Sequence, residues 1–128
     1  MSSYLSYAEQ AGHYFDRPHT EPHLAPIRGP AAWRGRELAR QTGWRVRLDD
    51  AQVDEIERAM SALRSVGRPT GELTAKDFPL PGLEAEIRLW RDELATGRGF
   101  LVVSGVPVER WSQAEAERFF WCLGLHVG

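Results

Sequence analysis

Gly97-Arg98-Gly99-Phe100-Leu101-Val102-Val103-Ser104-Gly105-Val106-Pro107 carries an unbroken apolar run, Phe100 to Val103, between glycines on both sides and a closing proline. β-branched and aromatic types in so short a frame have room for a strand and not for a helix. A strand apolar on both faces is expected to be covered on both. Its own backbone donors and acceptors also demand a partner strand, which a single extended segment cannot supply. The fold therefore turns on where that partner comes from.

Upstream, Trp44-Arg45-Val46-Arg47-Leu48 alternates apolar and basic residues and reads as a short half-buried strand, with Trp44, Val46 and Leu48 inward and Arg45 and Arg47 to water. Asp49-Asp50 then opens a long helix, with Asp49 as cap and Gln52 three residues on. Val53, Ile56, Met60 and Leu63 form its apolar stripe, and Gly67 is expected as the residue that ends it. Lys76-Asp77-Phe78-Pro79-Leu80-Pro81 reads as an extended connector anchored by Phe78 and Leu80. A second helix is predicted from about Leu83 to Thr96, burying Leu83, Ile87, Trp90 and Leu94, with Glu84 four residues before Arg88. After Pro107, Ser112 and Glu115 make a capping box. The third helix is expected to send Ala116, Phe119, Phe120 and Leu123 to the core and Trp121 partly so, to end at Gly124, and to release a new segment at Leu125.

Ahead of these elements, Ser6 to His13 can form a short helix, and from Arg17 onward Pro18, Pro22 and Pro26 argue for an extended arm. Pro30 suits a helix start, and Gly35 limits that helix to one or two turns. Residues 1–27 thus read as a variable, flexible extension and 28–128 as the ordered part. The fold class is an α/β (α+β) fragment in which helices flank one or two strands, too little sheet to satisfy the 99–104 strand.

The 128 residues fall within the size range of one domain, and a net charge of −2 offers no broad basic surface for nucleic acid. No apolar run approaches the roughly 18 residues of a membrane span. Cys122 is the one cysteine, and the first residues carry neither a basic nor an apolar leader region, so a reducing, cytoplasmic setting is expected. Four histidines invite a metal. His19-Thr20-Glu21 is formally an H-x-E with His126 far downstream, the outline of a two-histidine, one-carboxylate iron site. That pair sits in a proline-broken arm with nothing to hold ligands rigid, and His13, His19 and His23 do not make a zinc set. Solvated histidines are the reading adopted. Cys122 reads as an inert apolar filler, Ser104 lacks a nucleophile elbow, and Gly97-Arg98-Gly99 precedes a strand where a dinucleotide fingerprint must follow one.

Several quoted stretches together resemble the start of the TauD/TfdA-like Fe(II)/2-oxoglutarate dioxygenases. These are Gly29-Pro30-Ala31-Ala32-Trp33-Arg34-Gly35-Arg36-Glu37-Leu38, Trp44 to Asp50, Asp77-Phe78-Pro79-Leu80-Pro81 into Leu94, and Gly97 to Pro107. Phe120-Trp121-Cys122-Leu123-Gly124-Leu125-His126-Val127-Gly128 looks like that family's Gly-x-x-x-Gly helix exit. The resemblance covers roughly residues 28–128. It implies the N-terminal portion of a double-stranded β-helix (jelly roll), with Fe(II) and 2-oxoglutarate as cofactors of the complete protein and a small-molecule substrate hydroxylated as succinate and CO2 leave. Family members hold iron by an H-x-D/E and a distal histidine, and 2-oxoglutarate by an arginine. The implied H-x-D follows the third helix and would lie beyond Gly128, and His19-Thr20-Glu21 is on the wrong side. No catalytic, cofactor-binding or metal residue is therefore assigned. The alternative is a non-catalytic α/β interaction module that pairs its strand across a homodimer.

Overall fold

In the computed structural model, residues 6–18, 20–22 and 24–128 are described. The apolar run finds a partner within the chain. The strand β1, Arg45–Arg47, lies parallel to β2, Val102–Ser104, in the register Arg45 with Val102, Val46 with Val103, and Arg47 with Ser104. The Val102 N–H donates to Trp44 O at 2.8 Å, and the Leu48 N–H donates to Ser104 O at 3.0 Å. Gly99 (φ 83°) and Gly105 (φ 89°) bracket β2 in the left-handed region, which side chains resist. A Cβ on Gly105 would stand 3.4 Å from Leu48 O, an ordinary contact, so it is the backbone angle that calls for glycine there.

Parallel strands require a crossover, and two helices supply it. The first is α3, Asp50–Arg64, opened by the capping box of Asp49 and Gln52. The second is α4, Glu84–Ala95. A last helix, α5 (Gln113–Val127), starts at the Ser112–Glu115 capping box and packs on α4 and on the turn Ala75–Asp77. Two short helices precede them: α1, Tyr7–Phe15, capped by Ser6 and Glu9, and the single turn α2, Gly35–Leu38. No residue of α1 is buried.

The core lies between α3, α4, α5 and the inner face of the two strands. Ile56, Met60 and Leu63 of α3, Leu83 at the cap of α4, and Cys122 of α5 are almost or wholly buried. Phe78 is 0% exposed and meets Phe119 edge-on at 6.0 Å, while Phe119 in turn meets Trp111 at 4.9 Å. Val46, Leu101 and Val103 close the core from the sheet side. A second aromatic group lies outside it. Trp33 and Trp44 pack on Phe100 at 5.2 and 5.9 Å, and their indole N–H groups donate to Arg98 O and Leu38 O, both at 3.1 Å. These contacts tie residues 33–44 to the approach of β2.

Several expectations are corrected. Phe120 is 80% exposed, because α5 turns the line of Ala116, Phe119, Leu123 and Val127 inward and carries residue 120 away from it. Gly124 does not end α5, which runs on through Leu125 and His126 to Val127, so no new segment begins there. Leu94 is 41% exposed on the last turn of α4, past the reach of the core. The first long helix ends at Arg64 with Ser65 as its right-handed cap, and Gly67 takes no left-handed turn. Asp77 is not extended but closes the 3₁₀ turn Ala75–Asp77, where its carboxylate bonds back to Thr74. Pro30 precedes the short helix, which Gly35 itself opens. Covering of β2 on both faces is not seen, since Val102 is 47% exposed. Glu84 and Arg88 form no ion pair.

Phe78→Ala should lose about 3–5 kcal/mol of unfolding free energy, because the emptied site lies between a rigid turn and α5. Denaturant titration followed by tryptophan fluorescence measures it.

Candidate functional site

A belt of polar contacts positions α5 and the 66–78 connector against each other. Asp77 accepts from the Thr74 backbone N–H at 2.8 Å and pairs with Arg68. The Thr74 N–H bond holds the Asp77 carboxyl below its ordinary value, with the Arg68 cation adding to it. Glu115 accepts from the Ser112 N–H at 2.9 Å and from Arg64 at 2.7 Å, and the Ser112 bond is the main cause of its lowered value. Arg118 donates to Val66 O at 3.2 Å and to Arg68 O at 3.4 Å, placing a cation just past the C-terminal end of α3. These groups build a scaffold and present no nucleophile.

The residues singled out for chemistry fall apart accordingly. His19 and His23 lie outside the described residues, so the H-x-E reading and the three-histidine reading do too. Thr20 and Glu21 are exposed. His13 accepts a hydrogen bond from Arg17 at 2.6 Å on exposed α1. His126 is not a solvated histidine. It is half-buried, and its Nε2 donates to Phe78 O at 2.6 Å, clamping the last turn of α5 to the loop after the 3₁₀ turn. Chain position alone carried no signal of that bond, 48 residues away in sequence. Cys122 is fully buried, and burial pushes its thiol up, as suits a filler and not a nucleophile. The Ser104 hydroxyl donates to Val46 O at 3.3 Å across the ladder. Among the described residues no three of His, Cys, Asp and Glu converge as a ligand set, so these residues do not fit an Fe(II) site, and none is assigned to one. No helix among them is long and apolar enough to cross a membrane.

Two unpartnered surfaces are the functional candidates instead. Residues 102 and 104 turn their backbone groups to β1, so the N–H and C=O of Leu101 and Val103 face the other edge, which no described strand occupies. The outer face of α5 presents Phe120, Trp121 and Leu125 beside the notch at Gly124. A free strand edge and a bare aromatic helix face are both surfaces that bind further polypeptide.

The chain is 26% identical over 113 residues to a taurine hydroxylase-like protein, SAT17, of Stachybotrys chartarum, covering 88% of this chain and 29% of that protein. It is 26% identical over 103 residues to the FR-33289 synthase of Streptomyces rubellomurinus, covering 80% of this chain and 30% of that one. No protein-family model matches it. The similarity to a protein named taurine hydroxylase-like supports a dioxygenase-type relationship. The chain spans under a third of the length of either relative.

Two measurements test this description. The lowered Asp77 and Glu115 carboxyls contribute stability that is fully present above their ordinary values of 3.8 and 4.5. It is lost as the pH falls through the lowered folded values, so the melting temperature should drop on acidification, and less steeply in Asp77→Asn. Phe120→Glu, on an exposed position, should leave the melting temperature nearly unchanged while lowering self-association in sedimentation runs.

Proposed function

We propose that this chain is the N-terminal part of a TauD/TfdA-like Fe(II)/2-oxoglutarate-dependent oxygenase, in which it serves as scaffold and supplies no metal ligand. The complete protein would hydroxylate a small-molecule substrate, releasing succinate and CO2. The observation that carries this reading is the similarity over 88% of the chain to a taurine hydroxylase-like protein more than three times the matched length. The free edge of β2 supports it: Leu101 and Val103 offer the backbone groups on which a jelly-roll sheet would continue. The bare face of α5 supports it too, as apolar surface that a longer polypeptide would cover. Fe(II), once bound by residues outside 1–128, would bring 2-oxoglutarate and dioxygen together in adjacent positions. The part played by the present residues is mechanical. His126 clamps the end of α5, and Gly99 and Gly105 aim β2.

The same free edge favours a second reading, a non-catalytic module that pairs β2 across a homodimer.

Reading the gene past the codon for Gly128 separates the two. The oxygenase reading expects an H-x-D or H-x-E on a following strand. It also expects succinate from 2-oxoglutarate when the longer polypeptide is assayed with Fe(II), and none from residues 1–128 alone. A stop codon at that point, together with a sharply melting dimer of the 128-residue chain, would establish the interaction module instead.

A further inference from the structure

A cleft of about 560 Å³ opens between α4 and the last turn of α5, a size suited to a small organic molecule. Its apolar lining joins the core residues Leu80 and Ile87 to the exposed Leu125 and the prolines at 79 and 81. Glu84, Ile87, Arg88 and Arg91 line it from α4, at the spacing that puts all four on one side of a helix. His126 stands on the opposite wall, with its Nε2 proton already given to Phe78 O.

Charge decides what this cleft takes. Arg64, Arg68, Arg98 and Arg110 are each held by a carboxylate, and Arg118 by backbone carbonyls. The Arg88 and Arg91 side chains are unpaired among the described residues, as are those of Arg34, Arg36, Arg40, Arg47 and Arg58, but these two line the cleft, together with Glu84. Two guanidinium groups one turn apart thus overlook an apolar floor with one carboxylate to offset them. A guanidinium pairs most strongly with a planar carboxylate or with phosphate oxygens, and the carboxylate is the head that leaves room for an apolar body on this floor. A wholly polar anion would leave the floor unused, and a neutral apolar molecule would leave the arginines unused.

We propose that the α4–α5 cleft is a binding site for amphipathic anions, with a carboxylate head on Arg88 and Arg91 and an apolar body on Leu80, Ile87 and Leu125. The proposal stands on the cleft itself and does not depend on the oxygenase reading.

Octanoate, octylamine and octanol, each titrated below its micellar concentration into the ¹⁵N-labelled 128-residue chain, test it. Octanoate should bind saturably and shift the amide signals of Arg88, Arg91 and Leu125, while octylamine leaves them in place and octanol binds more weakly. Arg88→Glu/Arg91→Glu, at two exposed positions, should weaken octanoate by more than about tenfold with the melting temperature held. Arg40→Glu, away from the cleft, should bind as the parent does. Equal binding of octylamine, unchanged binding by the double variant, or shifts confined to Phe120 and Trp121 would overturn the site. The wild-type comparison of the three probes decides the matter even if the double variant fails to fold.

Discussion

Three residue pairs of parallel strand, Arg45–Arg47 against Val102–Ser104, join two parts of the chain separated by all of α3 and α4. The rest of the fold depends on that ladder. Parallel pairing forces the intervening chain to leave one end of the sheet and return to the other, and α3 and α4 are that return. The ladder also orients its own inner face, so that Val46, Leu101 and Val103 look at the helices while Arg45, Arg47, Val102 and Ser104 look away. A slip of one residue would turn arginines toward Ile56 and Met60, and burying them unpaired is prohibitive.

The helices are held to the sheet by a core whose centre is a turn and not a helix. Phe78 follows the 3₁₀ turn Ala75–Asp77, and its ring and carbonyl meet two different parts of α5, Phe119 and His126. Around this point Arg68, Asp77, Thr74, Arg64, Glu115 and Arg118 satisfy one another or nearby carbonyls at the surface of the core. Their contribution is geometric, since exposed ion pairs of this kind add little stability. They decide how α5 lies, and so which of its faces is left bare.

That bare face and the α4–α5 cleft share one border. Leu125 belongs both to the cleft and to the aromatic face, and His126 fixes the helical turn that carries it. Among the described residues no three of His, Cys, Asp and Glu converge, and the open features of the fold are these surfaces.

Local rules made much of this legible in the residues themselves. The capping pairs Asp49 with Gln52 and Ser112 with Glu115, the stripe Ile56–Met60–Leu63 and the alternation of Trp44 to Leu48 all depend on neighbours within a turn or two. The stretches from Gly29 to Gly128 also resemble the start of an oxygenase family, a likeness separate from these local rules that offers no ligand to place. The fate of Phe120, the end of α5 beyond Gly124 and the clamp from His126 to Phe78 were not legible. Each is set by how helices dock: a helix rotated by one residue's turn exchanges a buried ring for an exposed one, and Gly124 stays helical because the turn after it is tied down by a contact from the 78 loop. Sequence by itself determined where the long helices begin and where the two strands lie, because capping and periodicity act within the segment. Only the tertiary structure decided which edge, face and cleft remain open, because exposure is a property of what the rest of the chain leaves uncovered.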